Sequence, residues 1–471
     1  MLRLGVILLQ TVAAVVAFRF LGSTTLGPDP QTVNRLNGES FQQDGVVTFN
    51  GYQYAVFWAP EATNASIRHL SVSRRDLKTS SSWETFGLQD YDQTDDDGHD
   101  IISLGISRGD GTLHLGFDQH DNELRYRVSH AGVATNPAST GWNESIFGPV
   151  LNYLPGLENL DKSVYFINIT YPRYLAIPQN APTAGGADLV MELRVGRSGL
   201  GDDWLYTYAP SKGWTQVGRY LEGVNNNAYI NGLDFDSRAT LHTTWTYRDY
   251  VNDTGKDVAV EAGPNGPENN HDMDYAFSPD LGVTWLNTWG QQIADTRAEE
   301  PILPVSAGIT VFSIPKYGGI LNQEAQTVDS AGRVHVLNRE NTTGFEQWFH
   351  YWRSTTNIWT RTALPPPELS SINNITAAPT VIGKRGKLVA PSSHPDTLFA
   401  ILPSNAPNST GLSIIASTAG GHFKDWQVVW ESIEGCSWEP LYDRYRLEYD
   451  GVLSLYLVNG TEVQIADFSF A

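Results

Sequence analysis

Sulfur is scarce: the 471-residue chain holds one cysteine, Cys436. An internal disulfide is excluded, and so is a zinc site built from several thiolates. Positive charge is scarce too. Lys and Arg number 31 against 52 Asp and Glu, a formal net charge of −21 with no basic tract. Phosphate backbones require clustered cations, so the balance argues against nucleic acid as a partner. An anionic ligand would need a local cationic pocket set against the global field. Long apolar runs are confined to the first residues. The segment Leu4–Phe18 follows Arg3 and is short for a bilayer span. It reads as a signal peptide, residues 1–17, cleaved after Ala17. The expectation is a secreted, extracellular protein with no membrane association after processing. Beyond that segment, helical periodicity is missing as well.

What is present is β-structure. Hydrophobic residues make up 41% and aromatic residues 11% of the chain, ample for a large core. An apolar strand, a turn rich in Asp, Asn or Gly, and a second apolar strand recur seven times. The copies are "VVTFNGYQYAVFWA", "IISLGISRGDGTLHLGFD", "YLAIPQNAPTAGGADLVMEL", "INGLDFDSRATLHTTWTY", "AQTVDSAGRVHVLNRE", "PTVIGKRGKLVAPS" and "YRLEYDGVLSLYLVN". Weaker strands carrying tryptophan lie between them: "SSSWETF", "KGWTQV", "GVTWLNT", "NIWTRT" and "HFKDWQVVW". "SPDLGVTW", Ser278–Trp285, matches the Asp-box, in which an Asp side chain bonds turn amides while the Trp packs into the sheet. The expectation is an all-β, seven-bladed propeller of four-stranded blades, one domain over residues 18–471. The final "EVQIADFSFA" would pair with N-terminal strands and close the ring. Two separate sandwiches, or six or eight blades, are the competing arrangements. Eight N-x-S/T sequons, at Asn64, Asn143, Asn168, Asn252, Asn341, Asn374, Asn408 and Asn459, suit a secreted glycoprotein.

Several motifs carry no chemistry. "DQTDDDG" lacks the Glu that an EF-hand needs, "RGDG" is a hairpin turn, and no helix follows "GRSGLG". What remains is a series of polar residues at strand ends. His99 and Asp100 precede the first strand of the second hairpin; Asp118, His120 and Asn122 follow its second strand. Both outer ends of a hairpin lie on one face of a propeller, so the two imidazoles are expected in one patch. Further along come Tyr171, Arg173, Arg194, Arg197, Tyr229, Arg248, His271, Gln323 and Gln326. They put His, Tyr and Arg at strand ends of successive blades, where a propeller builds its funnel.

The ordered motifs "DGHDIISLGIS…GTLHLGFDQHDNELRYR", "TYPR", "LRVGRSGLGD", "NAYING", "NNHDMDYAFSPDLGVTW" and "NQEAQTVDSAGRVHVL" resemble BNR-repeat-type propeller lyases. That group includes ulvan lyases and fungal L-rhamnose–α-1,4-D-glucuronate lyases. The resemblance runs from about residue 45 to 340; it departs at "LRVGRSG", where most relatives have "YRDGGSG", and at the insertion "AIPQNAPTAGGADL". It implies that His99, His120 and Tyr171 perform proton chemistry and that Arg194 neutralises a uronate carboxylate. It implies a substrate contact from Tyr229, and the strand-end positions add Arg173, Arg197, Arg248, His271 and Gln323 as candidate substrate contacts. It implies no required cofactor and no metal at the site, and leaves room for a structural calcium in the central tunnel. The implied partner is a uronate-containing plant or algal glycan, met by a monomer.

Such residues suit β-elimination. A base removes the proton at C5 of a 4-O-linked glucuronate, a cation stabilises the charge building on the carboxylate, and an acid protonates the departing oxygen. From the resemblance and the secretory features, release of terminal L-rhamnose from rhamnosyl-α-1,4-glucuronate caps of arabinogalactan-type glycans is the expected reaction. A glycoside hydrolase (an exo-α-L-rhamnosidase or sialidase-like enzyme) would instead need paired carboxylates, for which Asp100, Asp118, Asp121 and Asp272 are the candidates. A non-catalytic glycan-binding propeller would repeat similar aromatic pockets on most blades.

Overall fold

The computed structural model describes residues 18–470 except 43, 80–81, 182–185, 224–226, 249–266, 365–368, 371, 376–377, 379–382 and 407. The expected signal segment and the Asn252 sequon lie outside the described residues. Seven antiparallel sheets form a seven-bladed β-propeller. The inner strands in chain order are Val46–Phe49, Ile102–Ile106, Ile169–Ala176, Ala228–Phe235, Ala325–Val328, Lys387–Val389 and Leu441–Tyr442. Blades one to seven are numbered from these. Blade seven takes its outermost strand, Phe18–Pro28, from the N-terminus; it pairs with Glu462–Phe470, with Thr24 opposite Ile465. The ring closes where expected.

Three expectations need correction. Blades are not uniformly four-stranded: blade two has three strands and blade four has six. In blade two the chain leaves Tyr126–Val128 for a long loop. Its Phe147 and Leu151 bridge back to Ser129 and Tyr126, so apolar loop residues cover the position of an outer strand. In blade seven "RYRLEYD", Arg444–Asp450, is a helix, not a strand. The Asp443 carboxylate accepts from the amides of Tyr445 and Arg446, and Gly451 ends the helix with φ 64. These caps outweigh a weak alternation. In blade six the hairpin joins Lys387–Val389 to Thr397–Pro403, because "PSSHPD" makes the turn; residues 379–382 of the expected copy lie outside the described residues.

Of the tryptophans read in the weaker strands, Trp214 and Trp285 are fully buried, while Trp83, Trp359 and Trp430 are half-buried. Trp58, Trp214, Trp245, Trp285 and Trp348 are fully buried. In the Asp-box, Asp280 accepts from the Thr284 amide and hydroxyl, each at 2.8 Å, and Ser278 Oγ accepts from Gly282 N at 2.8 Å. "TAGGHFKDW" closes a similar turn with Asp425, which accepts from Thr418 N at 2.8 Å.

One feature was not foreseen. After the outer strand of blade seven, residues 29–42 cross to the centre of the ring. Asp96 accepts from the amides of Val33 and Asn34 at 2.9 and 2.8 Å and clips the start of the crossing. Asn37 bonds the Trp58 backbone from both ends of its amide. Ser40 donates its amide to Glu439 (2.5 Å) and its hydroxyl to the Glu324 carbonyl (2.7 Å), and it accepts from Lys387 Nζ. The Asp44 carbonyl accepts from Leu104 N. Trp58 lies on the second strand of blade one; the other partners belong to the inner strands, or their flanks, of blades two, five, six and seven.

Candidate active site

The acidic run before blade two is the scaffold. Asp97 and Gly98 make a turn in which the Asp97 carbonyl accepts from Asp100 N at 3.0 Å. The Asp97 carboxylate accepts from His99 Nδ1 at 2.5 Å through one oxygen and from His120 Nδ1 at 2.6 Å through the other. The two rings stack with centroids 3.9 Å apart and planes 17° apart. A carboxylate acceptor sets the tautomer of a neutral ring: Nδ1 carries the proton and Nε2 keeps the lone pair. Neither Nε2 has a hydrogen-bond partner among the described residues. Burial raises the Asp97 carboxyl, yet the hydrogen bonds from His120 and His99 hold it well below the usual range. Burial, helped by the neighbouring His120, lowers His99 below the ordinary imidazole value despite Asp97.

His120 sits between Asp118 and Asp121, both left-handed with φ 56 and φ 53, conformations that Asp tolerates. Asp118 is used up structurally: it accepts from Tyr91 Oη, Gln93 Nε2 and Arg125. Asn122 bridges to Ile169 and so ties blade two to blade three.

Blade three supplies the tyrosine through a bulge. The register against Leu189–Val195 shifts between Glu192 and Arg194, and Tyr171, opposite the shift and just before Pro172, has φ 59. That conformation is rare for an aromatic residue and disfavoured before proline. Bulges re-aim side chains next to active sites. Here the Tyr171 ring lies 5.7 Å from His99 and 6.3 Å from Tyr229. Burial, with Tyr229 alongside, pushes the phenol above its ordinary value despite the arginines around it. The raised value keeps the Tyr171 phenol protonated at neutral pH.

The arginines differ in how they are held. Arg194 Cζ lies 5.1 Å from the Tyr171 ring centroid, and Nη2 donates to Asp121 and Thr170 at 3.0 Å each. Arg173 lies 5.6 Å from the same ring and is locked to buried Glu192 at 2.6 Å. Arg248 lies 4.7 Å from the Tyr229 ring and donates to the neutral side chains of Asn270 and Asn322 at 2.8 Å each. No carboxylate among the described residues pairs with it. Gln323, with φ 59, lines a small internal cavity with Phe41 and Arg173. His271 pairs with Asp272 at 2.9 Å at the start of strand Asn270–Ser278 and packs near Tyr247, away from the histidine pair. Arg197 stands exposed on the turn after strand Leu189–Val195. The structure thus gathers His99, His120, Tyr171, Arg194, Arg173, Tyr229 and Arg248, and leaves Arg197 and His271 outside this cluster.

Two site residues escaped the sequence reading. Asp97 was signalled by "DDDGHD" but dismissed with the calcium loop. Phe41, in the polar stretch "GESFQQDG", joins Ile101, Tyr171 and Tyr229 in one buried cluster. Asp97, His99 and His120 also form the one group, among the described residues, whose donor atoms gather closely enough for a metal, all within 4.8 Å. Both Nδ1 atoms face the carboxylate, so the set as arranged orients imidazoles. Among the buried carboxylates, Asp44 and Asp234 pair with Arg444, Glu324 with Arg339 and Glu439 with Arg385.

The fold is shared with solved glycan-acting propellers. The polysaccharide lyase Uly1 is 16% identical, with a TM-score of 0.64 over 91% of this chain and 90% of that one. An ulvan lyase bound to -[GlcA(1-4)Rha3S]- is 14% identical, with a TM-score of 0.62 over 94% of this chain and 97% of that one. No curated protein matches the sequence. Residues 52–365 match the family described as BNR repeat-containing family member, two thirds of the chain, and the protein belongs to that family.

Proposed function

We propose that the protein is a secreted polysaccharide lyase that cleaves a 4-O-linked glucuronate by β-elimination. The observation that carries this reading is the stacked His99–His120 pair on Asp97, beside a neutral Tyr171 and a cluster of arginines. Two solved lyases of the same fold support it, one of them bound to a glucuronate-containing chain. His99 Nε2 takes the C5 proton; the carbon–oxygen bond at C4 breaks as the C4–C5 double bond forms, and Tyr171 Oη gives its proton to the departing oxygen. The negative charge that builds on the carboxylate meets Arg248, whose own charge no described carboxylate balances, while Arg194 holds positive potential behind Tyr171. Asp97 keeps both imidazoles in the tautomer that exposes Nε2.

Three of the four carboxylates a hydrolase would need are engaged elsewhere. Asp118 holds Tyr91 and Arg125, Asp121 holds Arg194, and Asp272 holds His271 and the Ile314 amide. Asp100 is buried beneath the histidine turn and pushed up to about 8 by that burial and by Asp118. Export is supported by the sequons: none of the seven described sequon asparagines is buried, as a glycan acceptor requires. Terminal rhamnosyl-glucuronate caps of arabinogalactan are the proposed substrate. Incubation with arabinogalactan and, separately, with ulvan tests this. The reading expects a 4,5-unsaturated uronate from at least one glycan, with free rhamnose from arabinogalactan; no unsaturated product from either would contradict it.

A further inference from the structure

The crossing segment ends in the catalytic cluster, and its tip is aromatic. Phe41 is buried, and its ring stacks on His99 with centroids 5.7 Å apart and planes 18° apart. His120 stacks on His99 as well, at 3.9 Å. The edge of the Phe41–Tyr171 pair closes at 5.2 Å and 61°, a favoured aromatic geometry. Arg385 of blade six lies 5.9 Å from the same ring. The residue just before Phe41, Ser40, is held from blades five, six and seven by Glu324, Lys387 and Glu439. Phe41 is therefore anchored on one side of the ring and touches blades two and three on the other.

We infer that Phe41 is a positioning residue: the crossing segment carries its ring into the centre of the propeller, where it fixes the plane of His99 and braces Tyr171. This rests on the lyase reading for its catalytic consequence, but not for its geometry. His99 lacks any hydrogen bond at Nε2 among the described residues, so Asp97, the flat contacts with Phe41 and His120 and the tilted contact with Tyr171 set its orientation. Tyr171 sits on a left-handed bulge that its own backbone disfavours, so a packing partner must hold it there. The charged and titratable groups around His99 are Asp97 and His120 from blade two and Tyr171 and Arg194 from blade three. The acid of the crossing segment itself, Glu39, accepts from the Trp438 indole.

The test is Phe41→Ala in the full chain, read in two ways. Turnover of a glucuronate glycan should fall about 10- to 100-fold in kcat with KM nearly unchanged, the signature of a misplaced proton-transfer group. In protein labelled at histidine, the His99 resonance, assigned by its loss in His99→Ala, should titrate at higher pH in Phe41→Ala, because water reaches the ring that Phe41 covers. A wild-type titration together with wild-type kcat would overturn the inference. The titration needs no substrate: if the wild-type protein makes no unsaturated uronate, the lyase reading fails while the titration still decides on Phe41. Should Phe41→Ala fail to fold, Phe41→Leu keeps the apolar bulk and loses the flat face. Its kcat should drop several-fold, and wild-type kcat in that variant would equally overturn the inference.

Discussion

His99 and His120 lie face to face, 3.9 Å between ring centroids, and share a single carboxylate, one oxygen each, in Asp97. One negative charge can balance one imidazolium. A second proton would set two cations face to face, so the pair works with at least one ring neutral. A poised base next to a raised phenol is the chemistry of proton abstraction rather than of hydrolysis.

Asp97→Asn tests the shared carboxylate. An amide cannot accept from both Nδ1 atoms, so the tautomers are no longer fixed and the pair loses its counter-charge. The expected result is a loss of kcat/KM of about 100-fold or more with the fold retained. Circular dichroism and steady-state kinetics on one preparation would show both; near-normal kcat/KM would remove Asp97 from the mechanism.

The two arginines should separate by parameter. Arg248→Lys keeps the charge and loses the planar fork held by Asn270 and Asn322. It should lower kcat/KM about 100-fold, the scale of one lost charge-stabilising donor. Arg194→Lys should lower kcat by a comparable factor through release of Asp121 and Tyr171. If Arg248→Lys is silent and Arg194→Lys alone is impaired, the carboxylate sits on Arg194 instead.

The pH profile follows from the shifts. His99 is lowered from 6.5, so it remains a neutral base below that value, and activity is lost only as pH falls through its depressed folded value. Tyr171 is raised from 10.0, so the acid form persists through pH 10. The kcat/KM profile should therefore be flat from pH 10 down to 6.5, with its acid limb below 6.5. The same sign holds for stability: between the folded value of His99 and 6.5 the unfolded chain binds more protons, so this residue makes the fold less stable as pH falls through that window. An acid limb above 6.5 would place the base elsewhere.

Asp280→Ala removes the acceptor for both the Thr284 amide and hydroxyl. It should cost about 1–3 kcal/mol of stability, read as a lower denaturant midpoint, while kcat per folded molecule stays unchanged. A catalytic defect in this variant would contradict a purely structural Asp-box.

Much of this fold shows in local pattern. Strand alternation marked the hairpins, and "SPDLGVTW" marked a turn whose bonds follow from its residue types. The seventh hairpin misled because "YRLEYD" alternates well enough for a strand, and only the capping by Asp443 and Gly451 makes it a helix. Strand ends placed His99 and His120 together, since both ends of a hairpin share a face. The resemblance put Arg194 on the uronate carboxylate; that Arg194 is tied to Asp121, and Arg248 to Asn270 and Asn322, was not legible, because such pairing depends on residues distant in sequence. Phe41 was invisible for the same reason: a crossing segment reaches the ring centre by contacts with six blades, and no local pattern encodes that path.

The most direct test is digestion of a glucuronate glycan in oxygen-18 water, sampled early by mass spectrometry before anomeric exchange. Elimination breaks the bond at C4 without water, so the account predicts a 4,5-unsaturated uronate and no solvent oxygen on the released sugar. His99→Ala should lack that product. A saturated glucuronate product, with one oxygen-18 incorporated at the cleaved bond, would contradict the lyase account and make the enzyme a hydrolase.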